Sequence, residues 1–315
     1  MKKIHYQLSL KDAAWEKGEI GIKALRELLD IVLDCAERGL RLAVEGESVK
    51  RGKAPAWLIR SLDFVITGLK PGSTIVQLEA PTLGETARPQ IGQQDLWIET
   101  PQDSDTALSL MSRGFLSATQ GSNNLENPYC DVGVLEGLLK FKPYLTAYAK
   151  NLQFACREKP GENFHIGEPE LKKIESVRKK TPEPRAFVVS GLLDSIKHSA
   201  RRFQLALSDG QALPGIADME FLKTEDLRGL WGKKVTVKGM VYFFPSGRPR
   251  LIEAQLLKAM ESGEAVFDKM PEPETHHMLI PQGLAPTSNR LLRDAWGKWP
   301  GDESIEDLLS TLQGG

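Results

Sequence analysis

Cysteine is scarce in this chain. Cys35, Cys130 and Cys156 are three in 315 residues, far apart and with no CxxC spacing. That argues against a disulfide framework and against a thiolate zinc site, both of which need paired or closely spaced thiols. A reducing, cytoplasmic setting is the simplest expectation. Long apolar runs are also missing, since no stretch approaches the roughly 18 apolar residues of a membrane span. Lys11 and Asp12 arrive before any apolar region of signal-peptide length, so no secretory leader is expected. No charge of one sign dominates: 41 Lys and Arg against 42 Asp and Glu leave a net −1. A uniformly basic coat is thereby excluded, and any contact with a polyanion must be local. Finally, no GxxxxGK[ST], no GxGxxG opening a helix, no GxSxG and no HExxH occurs. Nothing nominates an enzyme, a cofactor or a metal.

What is present is a composition that folds. Apolar residues are 41% and charged residues 26%, and the length suits two domains or three. Residues 1–158 read as an α+β domain. Ile4, Tyr6, Leu8 and Leu10 alternate as in a half-buried strand. Ile22, Leu25, Leu28, Leu29, Val32, Leu33 and Ala36 recur at helical spacing, with Gly39 placed as a C-cap. "LRLAVEG" then reads as a strand, and "SLDFVITGL" and "STIVQLEA" as a hairpin about Pro71-Gly72. Residues 83–102 read as a loop. Two helical segments follow, the second with Asp131 as N-cap and a bend or restart at Pro143.

Residues 159–184, polar and basic, read as a linker. Residues 185–260 hold five short strands, with Asp209-Gly210 as a hairpin turn, a helical turn before the fourth strand, and glycines inside the first and fourth. On that order and on "VSGLL…DG…LWGKKVTVKG", this region resembles an OB-fold barrel, in which strong curvature needs glycine. Residues 261–287 read as a loop and 288–315 as an amphipathic helical tail.

Four groups of residues carry chemistry. The first is a basic patch. Residues 172–202 hold nine cations against three acids, and Lys233, Lys234, Lys238, Arg248 and Arg250 add to it beside Tyr242, Phe243 and Phe244. Cations for phosphates and aromatics for bases are what single-strand binding needs. The candidate residues are Lys197, Arg201, Arg202, Lys233, Lys234, Lys238, Phe243, Phe244, Arg248 and Arg250. The plain alternative is solvated cations around an aromatic core. The second is His276-His277 near Glu272 and Glu274, more readily a surface loop than a metal site because adjacent histidines on extended chain diverge. The third, Glu45, Glu47 and Asp63, is the one carboxylate set near predicted strand ends. A solvated loop explains it more simply than acid–base chemistry.

The fourth is "RLLRDAWGKWPGDESIEDLLSTL". Leu291, Leu292, Ala295 and Trp296 form a stripe, Pro300-Gly301 breaks it, and Ile305, Leu308, Leu309 and Leu312 form another after an Asp302 N-cap. Short amphipathic helices need a surface to lie on. That surface belongs either to the same chain or to a partner. "WGKWPGDESIEDLLSTL" resembles the C-terminal tails of VapB-like antitoxins, which neutralise PIN-domain ribonuclease toxins. The preceding 285 residues are unlike the small DNA-binding modules of that group. The resemblance implies a non-enzymatic protein whose tail binds and inhibits such a toxin. It implies that Trp296, Trp299, Ile305, Leu308, Leu309 and Leu312 fill an apolar groove, with Arg290 or Arg293 entering the toxin's acidic, Mg²⁺-binding site. The alternative is a nucleic-acid-binding OB-fold protein with the tail packed on its own body, and the further candidate partner, from the basic patch and barrel, is single-stranded nucleic acid or operator DNA.

Overall fold

A computed structural model describes residues 2–15, 19–50, 52–70, 74–91, 101–120, 126, 128–197, 202–218, 222 and 229–273, except the side chains of Lys70 and Lys197. Contacts divide the chain into Met1–Pro273 and Glu274–Gly315, so everything described here belongs to the first unit. Its architecture is mixed α+β, with one open sheet and one closed barrel.

The open sheet has the order β2-β3-β1-β4-β5, antiparallel throughout: β1 is Lys3–Lys11, β2 Val65–Lys70, β3 Thr74–Pro81, β4 Asn151–Cys156 and β5 Phe164–Ile166. Period-two alternation sends Ile4, Tyr6, Leu8 and Leu10 to the core. Lys3 and His5 lie on the other face, exposed and opposite Pro81 and Glu79. Helices cover the core face: α1 (Ile22–Glu45), α2 (Ala56–Ser61), α3 (Leu83–Thr86), α4 (Arg88–Ile91), α5 (Ala107–Thr119), α6 (Val132–Leu139), α7 (Phe141–Tyr148) and α8 (Glu168–Lys180).

Three expectations are corrected. Residues 40–46 are not a strand, because α1 runs on to Glu45 and is closed by Gly46 at φ 87°, whose N–H bonds Leu42 O. Gly39 is no cap. A Cβ there would lie 3.1 Å from the Leu110 and Met111 backbone, so this glycine lets α1 and α5 approach closely. Residues 159–184 are not a linker but include β5 and α8. The charges that suggest solvent are those a helix dipole favours: Glu168 and Glu170 in the first turn, Arg178, Lys179 and Lys180 in the last. Leu171 and Ile174 on the opposite face join the core. The loop expected at 83–102 begins as the short helices α3 and α4, and residues 92–100 lie outside the described residues.

Other local expectations agree with the structure. The hairpin strands are β2 and β3, although Pro71-Gly72 lies outside the described residues. Asp131 caps α6 by accepting from Val134 N at 2.9 Å. The helix restarts as α7 with Pro143 in its first turn, where a missing N–H costs nothing.

The barrel comprises β6 (Arg185–Lys197), β7 (Arg202–Ala206), β8 (Ala212–Ala217), β9 (Lys234–Phe243) and β10 (Pro249–Ala259). It closes in the order β10-β8-β7-β6-β9, antiparallel except for the parallel β8–β10 pair. Val189, Leu193, Leu205, Val237, Val241 and Ile252 are among the side chains that fill it. Its internal glycines are sites of close approach: a Cβ on Gly239 would sit 2.0 Å from Glu253 O, and one on Gly191 2.9 Å from Ala206 O. Of the expected helical turn before β9, residues 224–228 lie outside the described residues. After β10, the turn Glu264–Phe267 crosses the outside of the barrel, where Glu264 O accepts from Ser190 Oγ and its carboxylate from Thr236 Oγ1.

Candidate functional site

The basic residues expected to bind nucleic acid separate into two groups. One group fastens the barrel to the α+β domain. Arg202 Nη2 donates to Val44 O at 2.9 Å, and Arg248 Nη1 to Glu126 Oε2 at 3.0 Å. Arg250, 8% exposed, donates through Nη1 to Gly46 O, and its Nη2 lies 3.7 Å from Asp131 Oδ2. Its guanidinium also sits over the Tyr242 ring, 5.8 Å from the centroid. These arginines read as phosphate ligands in the sequence because the domain that engages them is distant along the chain. Phe243 points into the barrel core and Phe244 is half-buried. The side chain of Lys197 and all of Arg201 lie outside the described residues. So do His276, His277, Glu274 and the tail residues Arg290, Arg293, Trp296, Trp299, Ile305, Leu308, Leu309 and Leu312.

The other group is Lys233, Lys234 and Lys238, all exposed. Lys234 and Lys238 share the outer face of β9, because Val235, Val237 and Val241 point inward. None of the three has a carboxylate within ion-pair distance among the described residues, whereas Lys258 on the neighbouring strand is held by Glu261 and Glu264 at 2.8 and 2.9 Å. Glu264 in turn is held down to about 2 by the Glu261 amide, Lys258 and Thr236. Just before β9, Trp231 is exposed; its position in "LWGKK" suggests only a helical turn, and nothing in the sequence distinguishes it from a core tryptophan.

The seam between domain and barrel concentrates buried charge. Glu47 follows the cap of α1, is 7% exposed, and is pushed up to about 7, first by burial and then by Glu253 and Glu45 against Lys50 and Arg250. Burial also raises the Tyr242 phenol, reinforced by Glu47 and Glu253, so it stays protonated and donates to Glu253 Oε2 at 3.1 Å. Burial pulls the Arg250 guanidinium down, while Asp131 and Glu47 support its charge. Among the described residues, Arg250 Nε and Nη2 have no hydrogen-bond partner. Of the carboxylates read as an acid–base set, Glu45 is bound by Arg41 Nη1 at 2.8 Å, Glu47 lies in this seam, and Asp63 is exposed between α2 and β2.

A second charged cluster has no local signature. Asp105, just before α5, accepts from Lys159 Nζ at 2.6 Å, Arg113 Nη2 at 2.7 Å and Gln102 N at 2.8 Å. Burial would raise its carboxyl, but Lys159, the Gln102 amide and Arg113 hold it below the usual range. Glu162 flanks both cations, 3.5 Å from Lys159 and 3.8 Å from Arg113. Four residues from three segments meet here, and the bonds that Asp105 accepts tie the start of α5 to the β4–β5 turn, whereas Glu162 Oε2 is buried with no hydrogen-bond partner among the described residues.

Among the described residues, no group of three or more His, Cys, Asp or Glu is arranged to hold a metal ion, and no helix is long and apolar enough to cross a membrane. Fold and site together define a mixed α+β protein with a closed five-stranded barrel and a lysine stripe without an acidic partner among the described residues. No protein-family model, no curated protein and no solved structure matches the chain.

Proposed function

We propose that this is a non-enzymatic cytoplasmic binding protein whose barrel is an OB-like module for single-stranded nucleic acid. The observation that carries the reading is the barrel's closure. Three strands form a meander, the fourth returns beside the first, and the fifth closes parallel to the third, as in the Greek-key barrel of OB domains. Lys233, Lys234 and Lys238, exposed and without an acidic partner among the described residues, supply cations for phosphates. The test is binding of a labelled single strand at increasing salt. Wild type is expected to weaken as salt rises, and Lys233→Glu with Lys238→Glu to bind less. An affinity indifferent to both changes counts against the reading.

A second reading rests on the sequence "WGKWPGDESIEDLLSTL" and its likeness to VapB-like antitoxin tails. In it, Trp296, Trp299, Ile305, Leu308, Leu309 and Leu312 anchor the tail in a groove of a PIN-domain ribonuclease. Arg290 or Arg293 faces that enzyme's carboxylates, an attraction strengthened by excluding water. The two readings differ at the tail, which the first packs on the protein's own body and the second gives to a partner. Full-length protein is expected to capture and inhibit such a nuclease, and a chain ending at Pro286 to lose both abilities. Equal inhibition by the shortened chain contradicts the tail reading.

A further inference from the structure

Trp15 and Trp57 pack against the α+β core, but Trp231 is 67% exposed. Its indole is nevertheless held in place. Nε1–H donates to Asp194 O at 3.2 Å, pinning one edge of the ring to β6. The turn that carries it is tied to the same strand: Gly232 N donates to Leu193 O and Leu193 N to Lys233 O, both at 3.0 Å. Gly232 adopts φ 70°, the left-handed conformation this turn requires. A fixed, solvent-facing indole loses little further freedom when something stacks on it.

Its neighbours indicate the chemistry of that partner. Lys233 and Lys234 follow directly, both exposed and without an acidic partner among the described residues. Leu192, opposite Lys234 in the β6–β9 pair, is 38% exposed and extends the apolar surface. A purely apolar partner would leave two ammonium groups uncompensated, and a duplex keeps its base faces stacked inside. A single strand offers an accessible base face and flanking phosphates together. The side of the barrel that meets Gly46, Asp131 and Val44 is occupied by the α+β domain, whereas the Trp231 turn projects into solvent.

We propose that Trp231, with Lys233 and Lys234, is a stacking platform for one base of a single-stranded nucleic acid, the indole lying on the base and the two ammonium groups on the phosphates beside it. This rests on the nucleic-acid reading of the barrel and specifies where the strand makes contact.

The test is fluorescence anisotropy of a labelled oligothymidylate with full-length protein and substitutions at this turn. Trp231→Ala is expected to weaken binding about tenfold or more, Trp231→Phe to stay within about threefold, and Trp231→Leu to be as weak as alanine. Lys233→Ala and Lys234→Ala are each expected to reduce the salt slope by about 0.7. Because the indole is exposed, far-UV circular dichroism should not change, and loss of its bond to Asp194 O should lower the melting temperature by only a few degrees, equally for alanine, leucine and phenylalanine. If wild type binds and Trp231→Ala binds equally well, the platform is wrong while the barrel reading stands. Leucine matching wild type would show apolar contact instead of stacking and would also overturn it. If wild type does not bind, the barrel reading fails and the platform with it.

Discussion

Glu47 converts burial into pH dependence. Its carboxyl is raised from 4.5 to about 7 in the seam. The folded protein therefore holds a proton that the unfolded chain has already lost over that interval. Stability from this group is full below pH 4.5, falls as pH rises toward about 7, and is level above. Glu47→Gln removes the titration. The variant should gain on wild type between those limits, by up to about 3 kcal/mol at pH 8, and should gain nothing from this source at pH 4. Urea unfolding at the two pH values measures the difference. Arg250 behaves oppositely. Arg250→Ala leaves Asp131 and Glu47 without their buried cation and should cost about 3–5 kcal/mol in the same assay.

Elements in this protein depend on backbone approach at a few glycines. Gly239→Ala places a methyl 2.0 Å from Glu253 O in the β9–β10 pair, and backbone cannot yield as a flexible side chain can. A loss of about 3 kcal/mol or more is expected in thermal or urea unfolding. Gly210→Ala has open space around its Cβ and should cost only the strain of φ 79°, about 1–2 kcal/mol. Similar reasoning explains what the sequence made readable. The barrel strands were legible because Asp209-Gly210 marks a tight turn and Gly191 and Gly239 interrupt apolar strands at bends. Gly39 misled because a glycine that admits a neighbouring helix looks, along one dimension, like a glycine that ends its own. Strand β5 and helix α8 were hidden because "KPGENFHIGEPELKK" offers few apolar residues, and their burial depends on a sheet assembled from distant segments. The Asp105 cluster was illegible for the same reason: Asp105, Arg113 and Lys159 meet only after folding.

At the scale of the whole molecule, one consequence of the fold reorganises the site. The barrel is joined to the α+β domain by cations that, read along the chain, look available for phosphate. Arg202, Arg248 and Arg250 face protein partners, leaving Lys233, Lys234 and Lys238 as the exposed candidate cations without an acidic partner among the described residues. The expected number of phosphate contacts is therefore small. Reversing Arg248 to Glu should loosen the seam more than it weakens nucleic-acid binding, since its partner is Glu126. The most direct measurement compares single-stranded and duplex oligonucleotides of equal length, bound to full-length protein across a salt series. The account predicts preference for the single strand, with log K falling against log salt at a slope of roughly −2 for three lysine–phosphate contacts. Equal affinity for the duplex, or a slope near zero, would contradict it.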